Sequence, residues 1–310
     1  MPEDPGLDAP IRERVMAGLA RNRSPGLHFA GNFAQLAFDG APAGESRVRM
    51  PSGPHLAQAD GETSLCAVAM LADVALGVAI RSRLAPESRL ATVALHLQLS
   101  GAPLTGPLAA SGLFESFLDQ AKGRQGLARV TLQGEAGGVG FGSGAFMALP
   151  PPPGVELHPV VQERRESPLA ESELDAGERA LLRHADAAIA RADASHAFIS
   201  HFWGCVPETS ALGARCTTPN GAQIANRVGH VQGGILVGLA ASTAGAALGR
   251  AWKLSSISSW FVSPGEGAQL DTSSVIEHRG RLTAVVRTRV TGAGGRRVLE
   301  SVSSHALRPG

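Results

Sequence analysis

The sequence predicts an α+β fold in which one unit, a long helix wrapped by an antiparallel meander, occurs twice. Three observations carry this expectation. The segment DGETSLCAVAMLADVALG, Asp60 to Gly77, lies over VGHVQGGILVGLAASTAG, Val228 to Gly245, without a gap and at a constant offset of 168 residues. Each copy is followed by a polar segment and an alternating run, TVALHLQLS from Thr92 and SSISSWFVS from Ser255, the period-2 pattern of a half-buried strand. Between the copies, prolines and charges concentrate at Pro150–Pro153 and through VELHPVVQERRESP, the composition of a linker. Two domains at 1–150 and 168–310, joined by a linker at 151–167, follow from these observations.

The elements can be taken in chain order. His28–Phe29–Ala30–Gly31 in the first half answers His201–Phe202–Trp203–Gly204 in the second, each after a charged or alanine-rich segment of helical character. The run LCAVAMLADVALGVAI, Leu65 to Ile80, is long and apolar and reads as a buried helix of about four turns. Its counterpart is ILVGLAASTAGAAL after Gly234. Basic turns, Lys122–Gly123–Arg124 and Arg279–Gly280–Arg281, lead into further alternating runs, and each half closes on a strand-like stretch, AFMALP and SHALRP. Two copies are too few for a solenoid. A fused pseudo-dimer is the simpler picture, with sheets side by side and an approximate two-fold axis between the copies.

The 28 basic and 27 acidic residues nearly cancel, which argues against a general nucleic-acid or membrane-surface role. Three cysteines, Cys66, Cys205 and Cys216, have no metal-type spacing and fit a reduced, cytoplasmic setting. The acidic, proline-rich start is unlike a secretory signal, and no stretch offers ~18 apolar residues without a charge. The expectation is a soluble, unprocessed chain, with pairing into a homodimer left open.

Asp73 is the only charged residue in its apolar run. A buried carboxylate is costly unless paired or hydrogen-bonded, so it is either a satisfied structural group or a functional one. In the second half, Asn226 to Gly234 reads NRVGHVQGG directly before an apolar run. Paired glycines at a helix start leave amides unobstructed, and those first N–H groups together with the helix dipole favour a polarised oxygen. Close helix packing is the bland alternative for the glycines. The repeat weighs between them: Leu65 and Cys66 stand where Gly233 and Gly234 stand, and Ala241 stands where Asp73 stands. Two-fold related clefts would then differ, one holding Asp73 with Gly233 and Gly234, the other Ala241 with Leu65 and Cys66.

NRVGHVQGG with the following LAAS, together with LADVALG from Leu71, resembles the split signature of hotdog-fold acyl-CoA thioesterases of the phenylacetyl-CoA (PaaI-like) branch. Asn226, Gly229, Gly233 and Gly234 fall on that family's pattern, with Gln232 where the family usually has His, Asp73 on the acidic position and Thr92 on the hydroxyl position of the next strand. The resemblance implies two fused hotdog domains and an acyl-CoA substrate, with coenzyme A entering only as part of that substrate and no cofactor. It implies Asp73 as general base or nucleophile, Gly233 as oxyanion donor, Thr92 orienting water and Asn226 holding the loop. Gln232 can donate or accept but cannot titrate near neutrality.

Other groups are weaker candidates. His230 lies in the preceding loop, where a plain loop residue is the first reading and a substrate contact the second, and Arg279 and Arg281, like Arg124, are solvated hairpin ends by default, with a grip on the phosphates of coenzyme A as the alternative. No histidine pair has zinc spacing, so no metal is expected. Ser64 and Ser242 lack the G-x-S-x-G elbow of a serine hydrolase. GGVGFGSG from Gly137 has no lysine and no following helix, and reads as strand. A hydratase or dehydratase and a non-catalytic acyl-CoA-binding protein are the rival functions.

Overall fold

The computed structural model describes residues 8–86, 88–121, 123–150 and 169–308. The linker expected at 151–167 lies outside them. The first half runs α1 (Asp8–Asn22), α2 (Phe29–Phe33), β1 (Ala37–Asp39), β2 (Glu45–Met50), α3 (Leu65–Arg81), β3 (Arg89–Leu99), β4 (Leu108–Asp119), β5 (Arg124–Gly134) and β6 (Gly137–Leu149). The second repeats that order: α4 (Ala176–Arg191), α5 (Phe198–Phe202), β7 (Glu208–Ser210), β8 (Gly213–Pro219), α6 (Gly233–Leu248), β9 (Trp252–Phe261), β10 (Gln269–Arg279), β11 (Thr283–Thr291) and β12 (Arg297–Leu307). The fold is α+β, as the periodicities predict.

Among the described residues the twelve strands join one antiparallel sheet in the order β1-β2-β4-β5-β6-β3-β9-β12-β11-β10-β8-β7. The order is a palindrome about the β3–β9 pairing, where His96 faces Ser258. Each half therefore donates its sheet side by side, and the outer edges end in three-residue strands that offer little for another chain to pair with. Both central strands carry a bulge, between Thr92 and Ala94 in β3 and between Leu254 and Ser256 in β9. Thr92 and Leu254 are thus structural counterparts.

The apolar runs form α3 and α6, which pack on the same sheet and against each other. Leu71, Leu76 and Ile80 of α3 are wholly buried, each contributing about 1.5–3 kcal/mol over an exposed position. The two helices meet closely because Gly234 and Gly238, one turn apart, lie against the backbone of Ala69, Met70 and Cys66, where any Cβ would collide.

Two expectations need correction. The predicted order places every strand after the long helix, whereas β1 and β2, and likewise β7 and β8, precede it. In β2, ESRVRM, only Val48 and Met50 are apolar and fully buried, so its alternation is too short to stand out. The HFAG and HFWG segments are also out of register: Phe29 answers Phe198 and Phe33 answers Phe202, because α2 and α5 are the equivalent short helices. His28 caps α2, its Nδ1 accepting from the Gly31 amide at 3.0 Å, while His201 lies within α5. The two histidines thus occupy different places, one capping a short helix and the other inside one.

Candidate active site

Asp73 sits in the middle of α3, on the side that faces the N-terminus of α6, and is 7% exposed. The bulge after Thr92 interrupts the regular register of β3 where its side chain meets this carboxylate. Thr92 Oγ1 donates to Asp73 Oδ1 at 3.0 Å. From the other half, Gln232 Nε2 donates to Asp73 Oδ2 at 2.6 Å, and the Gly234 amide also donates to this carboxylate.

Gln232 does two things at once. It is the N-cap of α6, its Oε1 accepting from the Ile235 amide at 2.8 Å, and that bond fixes the amide so that Nε2 faces Asp73. With the Ile235 and Gly234 amides taken, the Gly233 N–H at the head of the helix has no hydrogen-bond partner among the described residues. It stands ready for an oxygen carrying developing negative charge.

Gly233 itself tolerates no side chain. A Cβ there would lie 2.7 Å from Thr92 Oγ1 and 3.2 and 3.3 Å from the two Asp73 oxygens. Gly233→Ala is expected to lose about 1–3 kcal/mol of stability through this overpacking, read from its urea unfolding midpoint. An unchanged midpoint would show that the cleft relaxes freely. Gly234, by contrast, serves the helix contact and the Asp73 hydrogen bond, and it does not line the cavity.

Burial pushes the Asp73 carboxyl up to about 6; the hydrogen bonds from Thr92, Gly234 and Gln232 pull the other way and keep it from rising further. It borders a cavity of about 170 Å³ lined also by Val74, Gly77, Leu90, Thr92, Phe146, Asn226, Gln232 and Gly233. Asn226 shapes the rim: its Oδ1 accepts from the Val228 and His230 amides at 3.0 and 3.1 Å, closing the turn in which Gly229 takes φ +81°.

Three arginines that the sequence reading does not single out, Arg81, Arg89 and Arg227, line the same cavity. Burial brings the Arg81 guanidinium down to about 10, with the nearby Arg227 charge acting in the same direction, and burial also lowers Arg227. Arg81 has a signal in the sequence, since it follows Asp73 and Gly77 at i+4 spacing along one helix face. Arg227 sits inside the NRVGHVQGG motif. The other predicted contacts fall elsewhere. Arg89 donates to Nδ1 of His230 at 3.4 Å and His230 Nε2 donates to Glu266 at 3.1 Å, so His230 stands behind the cavity wall. Arg279 stacks on Trp252 at 5.6 Å and Arg281 lies in the β10–β11 turn; neither borders the Asp73 cavity, because that turn belongs to the far end of the other sheet half.

No protein-family profile matches the chain, and no curated protein matches it. Solved structures do. A hot dog fold protein of unknown function from Alicyclobacillus acidocaldarius superposes with a TM-score of 0.52 at 8% identity, covering 88% of this chain and 96% of its own. The 12:0-ACP thioesterase of Umbellularia californica gives a TM-score of 0.52 at 10% identity, covering 85% and 94%. At such identities the likeness speaks to architecture alone. The chain has the hotdog fold.

Proposed function

We propose that the chain is a tandem double-hotdog thioesterase of the PaaI-like type, with domains at 1–150 and 168–310, that hydrolyses an acyl-CoA thioester in the Asp73 cavity. One observation carries the reading. A buried carboxylate with a pKa near 6 and an unpartnered helix-first amide, contributed by opposite halves of the chain, face the same small cavity.

The chemistry follows from those groups. Asp73 takes a proton from a water molecule as its oxygen bonds to the thioester carbon. The carbonyl oxygen gains charge and accepts the Gly233 N–H, a donor of the kind worth about 3 kcal/mol of barrier. The C–S bond then breaks, and the thiolate recovers the proton from the Asp73 carboxyl. Direct attack by the Asp73 oxygen on the carbonyl is the alternative first step, giving an anhydride that water opens. Thr92 and Gln232 hold the carboxylate oriented in either route, and Gln232 needs no titration to do so. Arg81, Arg89 and Arg227 supply positive charge suited to the phosphates of coenzyme A. The likeness to the 12:0-ACP thioesterase of Umbellularia californica adds support at the level of fold only.

The test is thiol release from a panel of acyl-CoA and acyl-carrier-protein thioesters. Hydrolysis of at least one class is expected, with kcat/KM rising with pH through about 6 as the Asp73 carboxyl ionises. Cleavage of no thioester, or a profile flat from pH 5 to 8, would overturn the assignment.

A further inference from the structure

A second cavity, larger than the one beside Asp73, lies elsewhere in the fold. It has a volume of about 590 Å³ and is the pseudo-symmetric counterpart of the first. The helix offset of 168 carries Asp73, Gly77 and Gly233 onto Ala241, Gly245 and Leu65, and the matching bulges carry Thr92 onto Leu254. Phe146, which faces Thr92 across the sheet, becomes His305, which faces Leu254. All five counterparts that result line the larger cavity.

The substitutions remove the reacting groups and keep the space. A methyl replaces the carboxylate and an isobutyl group replaces the hydroxyl, while Leu65 keeps the helix-first amide and adds a side chain where Gly233 has none. No group left there can do the hydrolysis derived for the first cleft. Yet protein interiors close over spaces larger than a water molecule, and this hollow has the size of a small-molecule pocket.

Its chemistry is specific enough to name an occupant. The floor is apolar at Leu65, Ala241 and Leu254. His305 lies in the wall, 0% exposed, with Nε2 2.9 Å from Ser303 Oγ and Nδ1 without a partner. Ser303 Oγ donates to the Val286 carbonyl at 3.4 Å, so Nε2–H donates to Ser303 and Nδ1 is an unpartnered acceptor, suited to an amide N–H of a thioester's pantetheine arm or to the proton of a carboxylic acid. At the rim Lys253 is bonded to Glu62 at 2.8 Å and Arg308 lies 4.0 Å from Asp60, all four lining the cavity, and Arg250 adds the positive charge that suits an anionic head.

We propose that this second cleft is a non-hydrolytic binding site for an acyl compound, an apolar chain ending in a carboxylate or a thioester. The acyl class rests on the thioesterase reading of the first cleft; the existence of the site rests on its own cavity and on His305.

The glycine pair supplies the test. A Cβ at Gly245 meets nothing within 4 Å, and one at Gly77 meets only Phe146 at 3.8 Å, so each position accepts a side chain that fills its own cavity. Titration calorimetry with decanoate and with S-decyl-coenzyme A, a thioether that cannot be cleaved, is run on the full chain, Gly77→Phe and Gly245→Phe. Two bound equivalents are expected in the wild type, one lost in each variant, while Gly245→Phe keeps thiol release within two-fold of the wild type. Comparison of the two probes tells whether free acid or thioester is the ligand. Binding lost only in Gly245→Phe would uphold the second cleft while removing the first as an acyl site. Binding that survives Gly245→Phe at full stoichiometry, or no binding by either probe, would overturn the proposal. Gly245→Leu, less bulky, repeats the comparison where the phenylalanine variant melts early.

Discussion

Asp73→Asn is expected to slow thiol release by about 10²–10⁴-fold while leaving the fold and ligand affinity nearly unchanged. The size of the loss follows from what the substitution removes. Asparagine has the shape of aspartate but no basic oxygen, so neither proton abstraction from water nor attack on the carbonyl remains. What stays is the Gly233 amide, the cavity and its arginines, which bind thioester and still stabilise some of the oxyanion charge. The loss should fall on kcat, with KM moving little, because the carboxylate acts on the reacting atoms and not on the coenzyme A body. Steady-state thiol release at pH 8 separates these cases. A rate within a few-fold of the wild type would mean that another group activates the nucleophile, and the cavity holds no second carboxylate to take its place among the described residues.

Asp73 is legible in the sequence because a single charge in a long apolar run has few bland explanations. The match between halves is equally informative: Gly233 opposite Leu65 and Ala241 opposite Asp73 shows each half keeping what the other lacks. The long helices and the central strands follow from plain periodicity. Other features depend on three-dimensional placement that periodicity does not carry. Arg81 reads as an ordinary basic residue at a helix end, and only the packing of α3 against α6 turns it into the cavity. Arg279 reads as a phosphate-binding turn residue, yet it stacks on Trp252 in the wall of the other cleft. The role of Gln232 is split: its departure from histidine is visible in the chain, but its two hydrogen bonds, accepting from the Ile235 amide and donating to Asp73, exist together only where the two halves meet. The second cleft is least legible of all. Ala241 and Leu65 show only that this cleft differs from the Asp73 cleft, and whether the space between them closes depends on the packing of some twenty side chains around it.

The same Asp73→Asn substitution is expected to stabilise the protein at pH 8 by about 3 kcal/mol, an effect that fades as the pH is lowered toward 4. The sign comes from the direction of the shift. The carboxyl moves from 3.8 up to about 6 on folding, so between these values the folded chain holds a proton that the unfolded chain has released. Stability from this group is therefore fully present below pH 3.8 and is lost as pH rises through 6. Asparagine mimics the protonated form throughout and escapes that loss. It also keeps the local bonds: its carbonyl oxygen accepts from Gln232 Nε2, and the Thr92 hydroxyl turns to accept from its amide. His55 and His305, which burial brings down to about 4, act in the opposite sense, weakening the fold as pH falls from 6.5 toward 4. Both are present in wild type and variant, so they cancel in the difference. Paired urea unfolding curves from pH 4 to 8 isolate the Asp73 contribution, and a difference that stays constant across that range would show that the buried carboxylate is not held above its ordinary pKa. On the proposed function the ionised form of Asp73 is both the destabilising and the reacting form, so the loss of rate and the gain of stability should appear in one variant.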